Sequence, residues 1–336
     1  MKDSECVEFL RWALPRLGLR WEGYRKVRRQ ICKRVGRRMQ ELGLPGTLNY
    51  RAYLERVPAE WRVLDRLCPI TISSFYRDKA VFDFIAATVL PALARDAAAR
   101  GAHELRAASL GCASGEEPYT LMLAWRFAVA PQFPQMTLHT VATDVLEEIL
   151  LRARGACYSA GSLKHLPRAW REAAFEREDG GYCLRAAYKR GVEFLRQDIR
   201  EEMPPGVFDL ILCRNLAFTY FDEQGQSNAL RRLLERLRPG GALVLGRRES
   251  LPAGDWALAP WPGAEKLDIY RRGKRGRESF QSPSSSFLGR PRGRRVDSRE
   301  RRLATRACHG SPPYGRPRWT LPRRASSSCA VSGRLT

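Results

Sequence analysis

The stretch that most limits what this chain can fold into is residues 105–127. An apolar segment ending at Leu110 runs into Gly111-Cys-Ala-Ser-Gly115, with small residues at alternate positions. Glu116 and Glu117 follow, then an apolar helical pattern from 119 to 127. Strand, small-residue turn and helix start in that order form a cradle, because small residues let the backbone approach a ligand closely. A phosphate loop offers backbone N–H groups and a lysine. Two carboxylates at that place would repel phosphate and suit a cofactor carrying hydroxyls, amines and positive charge.

The alternation around this turn continues along the chain. Helix 79–100, strand 105–110, helix 116–129, strand 137–143 and helix 147–155 come first. Strand 208–213, helix 226–237 and strand 242–246 follow, the last after Pro239-Gly-Gly. That order predicts an α/β fold with an open, mostly parallel sheet. Residues 156–198 interrupt it and read as one or two short helices, then a hairpin over 182–185 and 192–196. Ahead of the sheet, residues 1–72 read as a helical N-terminal domain. Val7, Leu10, Leu14 and Leu17 fall at helical spacing and Gly18 stops the run. A second helix carries the stripe Val27, Ile31, Val35, Met39 and Leu42. Its other faces hold Arg25, Lys26, Arg28, Arg29, Lys33, Arg34, Arg37 and Arg38. A third short helix follows Thr47, and a fourth begins near Pro58, a favoured first-turn proline.

Composition excludes several classes. Hydrophobic residues are 44% of the 336, enough for a large core. No apolar run approaches the roughly 20 residues of a membrane span, and the longest, 84–94, is broken by Pro91. The start, Met1-Lys-Asp-Ser-Glu5, lacks a signal-peptide pattern. Nine cysteines are scattered without a CxxC pair and four histidines stand far apart. A reducing, cytoplasmic protein without a metal is expected. The net charge of +23 is uneven: residues 273–336 hold 16 Lys/Arg against 3 Asp/Glu. Ser, Pro, Gly and Arg dominate there and apolar periodicity vanishes, so a disordered tail is expected.

Asp144 closes the strand 139–143, where α/β nucleotide folds set an acid against ribose hydroxyls. A helix N-cap for 147–155 is an equally physical role for it. With the acidic turn upstream, it points to S-adenosylmethionine. At this point the chain becomes similar to a known family. Thr71-Ile-Ser-Ser-Phe-Tyr-Arg77, Gly111-Cys-Ala-Ser-Gly-Glu-Glu-Pro-Tyr119, Ala142-Thr-Asp144, Cys213-Arg-Asn215, Tyr220-Phe-Asp222 and Arg238-Pro-Gly-Gly241 resemble, in order, the motifs of CheR-type methyltransferases. These chemotaxis enzymes methylate receptor glutamates. The resemblance spans about residues 5–272 and leaves the tail uncovered.

The resemblance implies a class I, Rossmann-like methyltransferase domain over 73–272, an all-α N-terminal domain and a small inserted β-hairpin subdomain. It implies methyl transfer from S-adenosylmethionine to glutamate carboxylates of a protein, leaving methyl esters and S-adenosylhomocysteine. Thr71 and Gly111 would line the cofactor, and Ser73 and Arg77 would meet it beside the acceptor. Glu117 and Asp144 would hold its amino-acid and ribose parts, and Asp198, at a family Asn position, would stand near the adenine. Arg214 and Asn215 would close the site, and Arg77 and Tyr220 would be catalytic. The chain departs from the family at Thr71 (an Asn there), at Tyr76 (Phe), in one extra residue between Asn215 and Tyr220, and at Arg247-Arg248 (His-Ser).

The chemistry asks for little beyond alignment. A glutamate is already ionised at neutral pH, so no general base is needed. Arg77 could pair with that carboxylate in forked geometry; a salt bridge to the acidic turn is its other reading. The implied partner is an acidic helical protein such as the cytoplasmic region of a chemoreceptor, met by the basic helix over 25–38; the bland reading of that helix is a solvated face. Relatives that hold a receptor's C-terminal peptide use an elaborated hairpin, and residues 175–184 are short, so tethered recruitment is not expected. A monomer that neither inserts into membranes nor binds nucleic acid is expected. The chain lacks the Asn/Asp-Pro-Pro-Tyr run of amino-group DNA methylases, and Cys68-Pro69 reverses the Pro-Cys order of cysteine nucleophiles. A catalytically silent cofactor-binding module, or a methyltransferase of another acceptor class, remains open at this point.

Overall fold

The computed structural model describes residues 2–178 and 180–273. The expectation for the tail therefore lies outside the described residues. Five helices come first: α1 (Asp3–Ala13), α2 (Trp21–Tyr24), α3 (Arg28–Glu41), α4 (Thr47–Arg56) and α5 (Pro58–Leu67). Then follow α6 (Lys79–Phe84), α7 (Leu90–Ala99), β1 (Glu104–Leu110), α8 (Glu116–Ala124), β2 (Thr137–Asp144) and α9 (Glu147–Gly155). The insert holds β3 (Cys157–Tyr158), α10 (Arg168–Ala174), β4 (Phe175–Glu178), β5 (Gly181–Leu184) and α11 (Ala186–Lys189). The chain then runs through β6 (Val192–Arg196), β7 (Phe208–Cys213), α12 (Ala217–Tyr220), α13 (Glu223–Arg236), β8 (Leu237–Leu245), β9 (Leu258–Pro260) and β10 (Ile269–Arg272).

Seven strands form one sheet in the order β6-β2-β1-β7-β8-β10-β9. The first five run parallel, and β10 and β9 reverse at the far edge. Central strands bury both faces, as a parallel sheet requires, and their side chains alternate between two apolar layers. Ala107, Leu210, Leu212 and Val244 join the layer of α6, α7 and α8. Ala108, Ile211, Cys213 and Leu245 join the layer built from α1, α3, α4, α5 and α13. The N-terminal helices thus share a core with one face of the sheet. The order of connections reverses between β1 and β7. In open α/β sheets the crevice outside the carboxyl ends of strands at such a point is where ligands bind.

Several elements differ from the sequence reading. The helix expected over 79–100 is interrupted at 85–89 by a wide turn in which the Leu90 N–H reaches the Ile85 carbonyl. Pro91 follows, and a proline lacks the N–H a regular turn would use. The helix over 116–129 likewise ends in a wide turn from Trp125 to Val129. The basic helix starts at Arg28, leaving Arg25 and Lys26 before it. The segment 192–196 is no hairpin arm: it is β6, paired in parallel with β2. Gly191, at φ +90°, turns the chain out of the insert onto the open edge of β2. The inserted hairpin is instead β4–β5, with β3 added beside β5.

Two cysteine pairs run against the expectation of a reducing setting. Cys6 on α1 is disulfide-bonded to Cys32 on α3, and Cys157 on β3 to its cross-strand partner Cys183 on β5. Each pair lies 26 residues apart in sequence, so only helix packing and strand register bring the sulfurs together. Cys68, Cys112 and Cys213 are free and buried. Among the described residues no helix is long and apolar enough to cross a membrane.

Candidate active site

The turn after β1 is tied to the end of β2. The N–H groups of Gly111 and Cys112 donate to the Thr143 carbonyl at 2.8 and 2.9 Å. Asp144 Oδ2 accepts the Ala113 N–H at 3.0 Å, and its Oδ1 accepts the Leu146 N–H at 3.1 Å. One carboxylate therefore ties the cradle to the segment leading into α9; the N-cap of that helix is Leu146, without a side-chain cap, so the capping role expected of Asp144 is not the one it has. Gly111 and Gly115 sit at φ +70° and +90°, where side chains are strained. Burial raises the Asp144 carboxyl above its ordinary value, and the backbone N–H groups pull it back only in part.

Only one glutamate of the acidic pair faces the cradle space. Glu116 is buried elsewhere, accepting the hydroxyls of Ser114 and Ser162. Glu117 accepts the Ser109 hydroxyl at 2.8 Å and pairs with Arg214 at 3.0 Å. The Arg214 side chain is 2% exposed and also bonds Asp78. So the arginine that neutralises the acidic turn is Arg214. Arg77 makes no salt bridge among the described residues; one of its N–H groups donates to the Ile72 carbonyl at 3.2 Å.

Two adjoining cavities open at the carboxyl ends of the strands. The larger, about 720 Å³, is lined by Thr71, Gly111, Asp144, Asp198, Asn215 and Tyr220 among others. The smaller, about 450 Å³, is lined by Ser73, Arg77, Gly111, Glu117, Arg214 and Asn215 among others. Gly111 and Asn215 border both. All ten residues singled out in the sequence thus border this pair of cavities. Tyr220, at the end of α12, lines the larger cavity. Its phenol is raised by burial and pulled back by the charge of Arg77.

The wall near Asp198 differs from the expectation. The Asp198 carboxylate is engaged by Arg200, which also holds Asp65 of α5. The unpartnered group there is Gln197 Oε1, a buried acceptor on the same cavity wall. An orphaned buried acceptor is costly unless a ligand completes it, and an adenine amino group is such a donor. Across the two cavities, the acid at the end of β2, this free acceptor and the Glu117 carboxylate beside the strand turn fit the hydroxyls, amines and positive charge of S-adenosylmethionine.

Glu249 is a site residue whose role the sequence did not reveal. It is 5% exposed and accepts the N–H groups of Gly246 and Asn215 at 2.6 and 2.9 Å, and also the Thr219 hydroxyl. Asn215 sits at φ +55°, and this carboxylate holds it there. Burial raises the Glu249 carboxyl; its hydrogen bonds oppose the rise. Arg247 and Arg248, where the chain departs from the family, are exposed, and the buried end of Gly246-x-x-Glu249 is the glutamate.

The five-strand parallel run with its switch-point cradle defines a class I S-adenosylmethionine-dependent methyltransferase. Residues 71–260 match the family described as CheR methyltransferase, SAM binding domain. The "Chemotaxis protein methyltransferase" of Listeria monocytogenes is 34% identical over 194 residues, 57% of this chain and 71% of that protein. "Chemotaxis protein methyltransferase 2" of Vibrio cholerae is 28% identical over 255 residues, 74% and 86% of the two chains. The Escherichia coli "Chemotaxis protein methyltransferase" is 29% identical over 233 residues, 66% of this chain and 77% of that one. The chain belongs to the CheR methyltransferase family, and S-adenosylmethionine is its cofactor.

Proposed function

We propose that this chain methylates glutamate side chains of a chemoreceptor-type protein in the cytoplasm, forming methyl esters. The observation that carries the acceptor class is the state of Arg77. Arg214 is saturated by two carboxylates, whereas Arg77 borders the smaller cavity without one among the described residues. A forked guanidinium facing that space suits an incoming carboxylate.

S-adenosylmethionine, when bound, supplies a methyl group already activated by its sulfonium. The chain's own residues then position and desolvate. Thr71, Gly111, Asp144 and Asn215 border the cofactor side, with Gln197 rather than Asp198 offering the free acceptor for the adenine. Glu117, beside the strand turn, takes the amino-acid part of the cofactor, and Ser73 borders the same space beside the acceptor. Arg77 orients the acceptor carboxylate, which needs no base because it is ionised at neutral pH. The Tyr220 phenol is protonated at neutral pH, and burial only raises it further, so it donates a hydrogen bond and directs the second carboxylate oxygen. Over-strong binding by Arg77 would stabilise the ground state as charge is being lost, so its task is alignment.

The basic face supports an acidic helical acceptor with fewer residues than the sequence offered. Arg28 pairs with Asp3, Arg38 with buried Glu60, and Arg34 donates to the Leu67 and Pro69 carbonyls. Arg25, Lys26, Arg29, Lys33 and Arg37 make no ion pair with a described residue, and they are the surface that would steer the acceptor.

The test is transfer of radiolabelled methyl from S-adenosylmethionine to the cytoplasmic region of a chemoreceptor. Base-labile label on glutamate is expected. Base-stable label, or none with cofactor bound, overturns the assignment.

A further inference from the structure

Tyr220 ends α12, a helix of four residues. Helices leave their last carbonyls without internal partners, and these must be satisfied from outside. The Ala217 carbonyl is taken by the Phe221 N–H, which leaves those of Phe218, Thr219 and Tyr220. One residue of the N-terminal region covers all three. Arg20 Nε donates to the Thr219 carbonyl at 3.0 Å, Arg20 Nη2 to that of Phe218, and the Arg20 N–H to that of Tyr220 at 2.9 Å. Arg20 forms no salt bridge among the described residues, so its guanidinium is spent on this helix end. A cation there also opposes the negative end of the helix dipole.

The neighbours of Arg20 extend the grip. Leu19 bridges Phe221, and the Asp222 N–H donates to the Gly18 carbonyl at 2.9 Å. The Tyr24 ring lies 4.7 Å from that of Tyr220. Gly23 packs against the helix so closely that a Cβ there would lie 2.1 Å from the Thr219 carbonyl oxygen. Glu249 holds the Thr219 hydroxyl. The helix that ends in the tyrosine at the cavity is therefore held by the segment 18–24 and by Glu249.

We propose that Arg20, fitted against α12 through Gly23, is a positioning residue that sets Tyr220 for methyl transfer. The N-terminal helices then complete the active site as well as present the basic face. The kinetic part rests on the glutamate-methylation reading above; the mechanical part does not. A displacement of the order of 1 Å in such a group costs on the order of 10²-fold in rate.

Arg20→Ala in the full chain is expected to lower kcat by about 10- to 100-fold. S-adenosylhomocysteine affinity by calorimetry should stay within about threefold, and Arg20→Lys, which keeps the charge but not the fork, should recover only part of the rate. In a Tyr220→Phe background, Arg20→Ala should cost little more, because the two act through one group. Multiplicative losses in that double mutant, or an unchanged kcat, would overturn the proposal. Hydrogen exchange needs no acceptor: Arg20→Ala should speed exchange of amides 217–222 and leave 111–117 protected. If Arg20→Ala does not fold, Arg20→Gln, which keeps only a short neutral donor for the helix end, is read the same way. Wild type without methyl transfer would sink the acceptor reading alone, whereas unchanged exchange at 217–222 would sink the clamp.

Discussion

Glu249→Ala is the substitution whose cost the structure defines most closely. The carboxylate is buried and receives three donors, two of them backbone N–H groups with no other partner in view. Thr219 can rotate its hydroxyl away, but the N–H groups of Asn215 and Gly246 cannot move. A buried donor left unsatisfied costs about 1–3 kcal/mol, so the alanine variant should lose about 2–6 kcal/mol. Domains have only about 5–15 kcal/mol in hand. Glutamine behaves differently. Its carbonyl can accept both N–H groups while its amide donates to Thr219, so Glu249→Gln should cost less than about 1.5 kcal/mol. The sign of the pH effect follows from the raised carboxyl. The folded state keeps the proton to higher pH than the unfolded chain, so this contribution to stability is full at low pH and is lost as pH rises through the folded value. Glutamine cannot titrate and should remove that slope. Urea unfolding followed by tryptophan fluorescence at several pH values measures all three chains. An alanine variant within about 1 kcal/mol of wild type, or a glutamine variant as weak as alanine, would refute the reasoning.

Three further outcomes are expected. Arg77→Ala should lower methyl transfer by about 10²-fold with S-adenosylhomocysteine affinity intact in calorimetry; an equal loss of binding would make Arg77 a cofactor ligand instead. Asp144→Asn should weaken S-adenosylhomocysteine binding by about tenfold or more, the worth of a charged hydrogen bond. Wild-type binding should also weaken as pH falls through the raised Asp144 value and the variant should not; identical pH profiles would remove Asp144 from the ribose. Reduction should lower the urea midpoint, since closing a 26-residue separation is worth up to about 3.5 kcal/mol in the chain-entropy account; Cys6→Ser should reproduce the share of the Cys6–Cys32 bridge, and no change would show that bridge to be inert.

Much of the site was legible because its residues are local punctuation. Gly111 and Gly115 mark a turn that only small residues serve, and Asp144 and Asn215 stand at strand ends, positions that hydrophobic alternation fixes to within a residue or two. What could not be read was which charges cancel. Arg77 and Arg214 are equivalent as letters, yet the end of β7 delivers Arg214 to Glu117 and Asp78, while Arg77 meets no acid among the described residues. Glu116 and Glu117 are adjacent, and the helical rotation between them sends one to the serines and the other to the cavity. Asp198, expected near the adenine, is engaged by Arg200 of the following turn, and the buried acceptor left without a partner is that of Gln197.

By itself, then, the sequence determined the strand–turn–helix alternation, the carboxyl-end cradle and the family motifs, all set by contacts within a few residues. Tertiary structure alone decided that 192–196 joins the main sheet, that two cysteine pairs meet across 26 residues each, and that Arg20 caps the helix bearing Tyr220. These depend on which distant backbone groups are left without partners once the core is packed, and a buried carbonyl or N–H must be satisfied by whatever the fold brings to it.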